Sequence, residues 1–325
     1  MSDFDKNKYR SLCLLGNYNK VVSYLAEFND RAELLVKYKS IFEGDKYFLE
    51  TNDERIIPFL RAYEDFLKWM MKTNPTTAEA QNAIVQKLKS FIPRVGLYAK
   101  ISKRFAYLAM NILVPRYFKK YGYYAIFGDV DIYPNLVLWC KQTARNEIVE
   151  LPDGQVEIEV VEMDDLITRG WVDYLSMGEI GTGGWVTKKG CTYFKEKYDT
   201  QLDEFKISLL KHEGQHFFDK RKHPKMNSAD LEYRAKLVEL IYHREMDTFF
   251  HFLKNMAITD DKTRAHAYAE RKIIQGLSKK IFGVELETNQ DTWETKNDEI
   301  PTVARELLSE HSKMMTGWNG KNILI

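Results

Sequence analysis

The run His212-Glu213-Gly214-Gln215-His216 contains the residue types most able to do chemistry in this chain. On a helix, residues i and i+4 share a face, so both imidazoles can reach a single metal ion. Glu213 is turned about a third of a turn away, off the metal face but within reach of a water on the metal. Two histidines with a glutamate base between them is the donor pattern of zinc-dependent hydrolysis. Gly214 costs about 1 kcal/mol relative to alanine inside a helix. Close approach of a neighbouring strand or a substrate would account for it, as would simple tolerance.

A catalytic zinc site needs a third protein ligand and one open position. The surrounding elements limit where that ligand can come from. Thr200-Gln201-Leu202-Asp203 can cap a helix, and Phe205, Leu209, His212 and His216 then fall at i, i+4, i+7 and i+11. Pro224 stops this helix near Lys222, and Lys220, Arg221 and Lys222 suit its C-terminal turn. Asn227-Ser228 caps a second helix, expected over about residues 229–256, which carries Glu232 and Glu239 on nearly one face. So short a connection makes the two helices antiparallel neighbours. At a rise of about 1.5 Å per residue, the histidine pair lies roughly 13 Å from the end of its helix, Glu239 roughly 16 Å into the next and Glu232 roughly 6 Å. This arithmetic leans toward Glu239. Asp260-Asp261-Lys262 reads as a turn, a third helix carries His266 and Tyr268, and a last one covers 301–315.

The run resembles the gluzincin branch of zinc peptidases, in which HExxH is followed by a glutamate on the next helix. Glu232-Tyr233-Arg234-Ala235-Lys236-Leu237-Val238-Glu239 is similar to the Glu-x-x-Ala-x-x-x-Glu of gluzincins related to Mlc titration factor and anthrax lethal factor. The resemblance covers roughly residues 185–242. It implies that Glu232 is the third ligand and that Glu239 orients a histidine from behind. Those relatives carry a tyrosine seven positions before the ligand glutamate. Here that position is Lys225, which leaves the transition-state stabiliser open among Tyr193, His223, Tyr242, His243 and His266. In zincin folds an edge strand upstream of the zinc helix holds the substrate, and the strand around Trp185, Val186 and Thr187 or that around Thr192 to Phe194 is the candidate for it. His251 and His311 read as ordinary surface or core histidines.

Upstream, residues 1 to about 120 read as helical. Leu34, Leu35, Tyr38, Ile41 and Phe42 recur at helical spacing before Gly44. Thr76 to Glu79 forms a capping box for Ile84, Leu88 and Phe91, with Pro93 expected to end that run. Arg104 to Met110 continues the pattern until Pro115. Between about 147 and 198 the period changes. Glu147 to Glu150 and Val156 to Val160 alternate around Pro152-Asp153-Gly154, a hairpin signature. A second strand pair is expected from Gly181 to Phe194, with its glycines permitting close backbone approach.

The expected architecture is α+β and mostly helical, with a helical N-terminal region over 1–125. A zincin-like region with a small sheet and an active-site helix follows over 126–325. The chain has 325 residues and a formal net charge of +1, which gives no electrostatic argument for nucleic acid or an anionic membrane. Cys13, Cys140 and Cys191 are widely spaced and read as free thiols of a reducing compartment. No apolar run of about 18 residues occurs, and the charged N-terminus has no apolar stretch behind it, so a cytoplasmic protein is expected. The expected activity is hydrolysis of a peptide or protein substrate with one zinc ion per chain and Glu213 as general base. A zinc-binding interaction module without turnover and a hydrolase of non-peptide amides are the alternatives.

Overall fold

The capping signals of the first 120 residues form helices where they occur. The structure, a computed structural model, describes residues 4–49, 51–130, 133–181, 183–187, 189–243, 245–256, 262, 264–318 and 323–325. The N-terminal helices are α1 (Lys6–Leu14), α2 (Tyr18–Leu25), α3 (Ala32–Phe42), α4 (Ile57–Thr73), α5 (Thr77–Leu88), α6 (Pro93–Ile101) and α7 (Lys103–Lys119). Thr76 and Glu79 form the full reciprocal cap of α5. Two proline expectations are corrected. Pro93 opens α6 instead of closing the preceding run, because a first-turn residue has no intrahelical N–H bond to lose. Pro115 lies inside α7. The carbonyl it leaves unpaired is that of Asn111, an exposed residue, so water can satisfy it.

The chain then turns to strands: β1 (Tyr124–Val130), β2 (Tyr133–Leu151) and β3 (Gly154–Thr168), followed by the short α8 (Trp171–Leu175), β4 (Gly184–Val186) and β5 (Gly190–Phe194). They are ordered β1-β2-β3-β5-β4, so β4 is an edge strand. The hairpin around Pro152-Asp153-Gly154 is present, but its strands extend well past the alternating stretches, and β1 was not anticipated. Glycines sit where backbones close in: a Cβ on Gly184 would run into the Thr192 carbonyl, and one on Gly190 into that of Glu159. The architecture is α+β and mostly helical. Among the described residues no helix is long and apolar enough to cross a membrane. All three cysteines are free.

The chain divides into two compact units, Met1–Gln142 with Met163–Thr182, and Thr143–Glu162 with Gly183–Ile325. The first has its own core, built around Tyr63, Phe59, Phe118, Trp171 and Tyr174. The fully buried carboxylate of Glu64 is satisfied by the N–H groups of Phe48 and Leu49 and the hydroxyl of Tyr174. That pattern is structural.

The second unit packs helices against the far halves of β2 and β3. They are α9 (His212–Lys222), α10 (Ser228–Tyr242), α11 (Asp247–Asn255), α12 (Ala265–Phe282), α13 (Gln290–Glu294) and α14 (Ile300–Met314). Asn227 caps α10 as expected, accepting from the Asp230 N–H. Two expectations are corrected. Glu204–Lys211 winds as a π-helix with no side-chain cap at Asp203, so the four-residue signal at Thr200 does not start an α-helix. The single long helix expected over 229–256 is two, α10 and α11. His243 is extended and its Nε2 lies 2.9 Å from Ser208 Oγ, which holds the chain off the helical path. The third helix begins at Ala265, and the turn expected at Asp260-Asp261 lies outside the described residues.

Gly214 is explained by this packing. A Cβ there would stand 2.9 Å from Cγ1 of Val149 on β2, closer than a stiff β-branched side chain tolerates. Gly214→Ala should therefore destabilise the fold by about 1–2 kcal/mol, the strain of overpacking exceeding the gain in helix propensity. Val149→Ala in the same chain should recover part of that loss. Urea unfolding of the two single variants and the double variant checks both, and a Gly214→Ala chain more stable than wild type would contradict the contact.

Candidate metal centre

The site lies within the second unit and is built on α9 and α10. His212 opens α9, at the point where the π-helical turn ends, and its own N–H reaches back to the Ile207 carbonyl. Such wide turns recur beside functional residues because they re-aim the side chains that follow. The pairs His212 with Glu239, His216 with Glu232, and Asp219 with Arg234 match early α9 to late α10 and the reverse. The helices are therefore antiparallel, as the short connection required.

Ligand atoms of His212, His216 and Glu232 lie within 4.8 Å of one another, and the group could hold a metal ion. Glu232 Oε1 is 3.3 Å from His216 Nε2, and Glu232 Oε2 is 3.6 Å from His212 Nε2. Donors at about 2.0–2.1 Å from a tetrahedral zinc are separated by roughly 3.4 Å, so the spacing suits such an ion. On its other side His212 Nδ1 is 2.6 Å from Glu239 Oε1. A carboxylate only accepts, so Nδ1 carries the proton, and in the neutral ring Nε2 keeps its lone pair toward Glu232. Glu239 thus reaches His212 at its outer nitrogen, while Glu232 faces the inner nitrogens of both histidines, against the lean of the helix arithmetic.

Electrostatics follow from this crowding. Burial pushes the His212 imidazolium down, but the Glu239 hydrogen bond and the charges of Glu239, Glu232 and Glu213 more than reverse it, and the net shift is upward. Burial pushes Glu232 up, and the close imidazoles of His216 and His266, with the charge of His212, carry it well below the usual carboxylate range. Glu239 is lowered against its burial by the same His212 contact, with help from Lys236 and Ser208. Some polar atoms are still unmatched. Glu232 Oε2, Glu213 Oε2 and His216 Nδ1 are buried with no hydrogen-bond partner among the described residues. The 2.8 Å contact of Glu232 Oε2 with His266 Nδ1 is close but misaligned for a hydrogen bond.

Of the five candidate stabilisers, the structure brings His266 to the cluster, on an exposed side chain at the start of α12. The others are engaged elsewhere. The Tyr193 hydroxyl donates to Glu162 at 2.5 Å and accepts from Arg145. His223 ends α9 beside Trp318, the Tyr242 ring carries the Lys211 ammonium, and His243 holds Ser208. His311 is buried against Asp230, and His251 contacts Asn255. Trp185 and Val186 lie on edge strand β4, which touches α9. β4 pairs with β5 at Trp185↔Thr192, and Thr187 N–H donates to Gly190 O just beyond it. The alternation turns the peptide groups of Val186 away from β5.

Sequence reasoning missed Tyr198. Its ring abuts Gly183 just before β4, and its upward shift comes from burial and then from the charges of Glu204, Glu213 and Glu239. It also missed the support of α9: Gln215 and Arg234 both donate to Asp219 at 2.8 Å, and Arg234 continues to Asp153 and Ser312. No local pattern joins residues so far apart. On the Glu239 side the protein opens into a cleft of about 840 Å³ lined by Ser208, Lys236, Glu239 and His243 among others.

Glu232→Gln should abolish stoichiometric zinc retention, whereas Glu239→Gln, whose amide oxygen still accepts from His212, should weaken it about 10- to 100-fold. Competition with a chromogenic chelator measures both, and the reverse order would move the ligand to Glu239. Compared with family models, curated proteins and solved structures, the chain gives no match to any of the three.

Proposed function

We propose that the second unit is a zinc-dependent peptidase of the gluzincin kind. The reading rests on one observation above the others. A buried glutamate faces two imidazole nitrogens and keeps an unmatched oxygen, while a second glutamate holds one of those imidazoles from behind. Two histidines and a carboxylate, with no fourth donor grouped with them among the described residues, are a catalytic zinc donor set rather than a closed structural one.

Bound there, zinc would supply a Lewis acid that polarises the scissile carbonyl and brings the pKa of a coordinated water toward about 7. The chain's own residues supply the rest. Glu213, one oxygen of which has no partner among the described residues, takes the proton from the attacking water and passes it to the leaving amine. Glu239 keeps the His212 ring in one orientation and one tautomer. His266, beside Glu232, offers a ring N–H to the developing oxyanion. An extended substrate pairs with the outward peptide groups of Val186 on β4.

Glu213→Gln keeps the shape of the side chain and removes its basicity. The variant should hold zinc as wild type does and lose about 10²- to 10⁴-fold in turnover. Zinc analysis beside cleavage of a peptide library measures the two properties separately. Full turnover in the variant would eliminate Glu213 as the base. A zinc-loaded wild type that cleaves nothing, amides of non-peptide character included, would leave the interaction-module reading in its place. His266→Ala should lower kcat by at least about tenfold while zinc content stays unchanged.

A further inference from the structure

We propose that the α6–α7 face of the first unit is a docking surface for an anionic lipid membrane. The near-zero net charge of the chain averages over a strong segregation. Between Ala80 and Gly128 there are nine Lys or Arg residues and no Asp or Glu. All nine side chains are exposed, and none makes an ion pair among the described residues. Cations left without an ion pair in this number create a positive surface that attracts an external polyanion.

The same helices expose apolar side chains that a soluble helix pair would bury. Leu97 is 58% exposed and Ile101 78% on α6, while Phe105 at 51%, Leu108 at 53% and Ile112 at 57% follow on α7. The last three are spaced i, i+3, i+7, one stripe of the helix. Ser102 fixes the corner between the helices by capping α7 through the Phe105 N–H, and the Phe105 ring packs edge-on against Tyr98 at 5.0 Å. Ile101 and Phe105 therefore flank a fixed corner, with Lys100, Lys103 and Arg104 beside them. Arg116, Lys119 and Lys120 extend the charge along α7. An open recess of about 520 Å³ lies between Lys89, Leu97 and Lys100.

Cations ringing protruding aliphatic side chains match the two layers of a membrane surface, phosphate headgroups over acyl chains. A nucleic acid would use the cations but has no place for Leu97, Ile101, Leu108 and Ile112, which cannot stack on bases.

The test is co-sedimentation of the full chain with vesicles of phosphatidylcholine alone and of phosphatidylcholine containing about one third phosphatidylserine. Binding should favour the anionic vesicles by at least about tenfold, since each cation near such a surface adds to the attraction. Lys100→Glu with Lys103→Glu should remove most of that preference. Ile101→Ser with Phe105→Ser should weaken binding to anionic vesicles at least about fivefold with folding, followed by thermal melting, retained. Equal binding to both vesicle types, or apolar variants that bind as wild type does, would overturn the proposal. So would absence of vesicle binding together with salt-sensitive binding of mixed-sequence RNA that the serine variants leave unchanged. The wild-type comparison decides the matter even if a variant fails to fold.

Discussion

A buried charge is tolerable only if something nearby matches it, and α10 is a helix of buried charges. Asp230, Glu232, Arg234, Lys236 and Glu239 are each at most 9% exposed. Four of the five are matched by protein. Asp230 accepts from His311 and from the Leu324 N–H, and Arg234 spans Asp219, Asp153 and Ser312. Lys236 pairs with Glu270, and Glu239 with His212. Glu232 alone faces a cluster of imidazoles with an oxygen still unmatched. A divalent cation at that point would satisfy the carboxylate and both ring nitrogens together. The contacts of Asp230, Arg234, Lys236 and Glu239 tie the helix down on either side of Glu232.

The arrangement also divides labour between the two glutamates of α10. They are seven residues apart and so on one face, but the antiparallel fit to α9 sets one against the inner nitrogens and the other against the outer nitrogen of His212. The network through Asp219 and Arg234 then ties the C-terminal half of α9 to the turn at Asp153 and to α14. Gly214 lets α9 lie against Val149 of β2. Helix, strand and partner helix therefore set the histidine positions from three sides.

Much of this could be read from the sequence. The two-histidine spacing, the stop at Pro224, the Asn227 cap and the facing glutamates are local signals, and each acts through chemistry confined to a few neighbouring residues. What escaped was non-local. Tyr133 to Trp139 is buried without interruption, so it shows no period-two alternation, and β1, which pairs with it, had no signal of its own. The π-helical winding before His212 and the break at His243 carry no glycine or proline. They depend on contacts such as that of His243 with Ser208, made between residues 35 apart. Helix arithmetic placed Glu239 level with the histidines but could not say which ring nitrogen it would face. Whole-chain charge, for its part, hid a segment that is basic throughout.

The central claim is that His212, His216 and Glu232 together bind one metal ion. X-ray absorption at the zinc edge, on the full chain carrying one equivalent of zinc, tests it most directly. The expected spectrum has nitrogen and oxygen donors at about 2.0–2.1 Å, the multiple scattering of two imidazoles and no sulfur. Sulfur donors at about 2.3 Å, or a shell of oxygens alone with no imidazole scattering, would place the ion elsewhere and contradict the account.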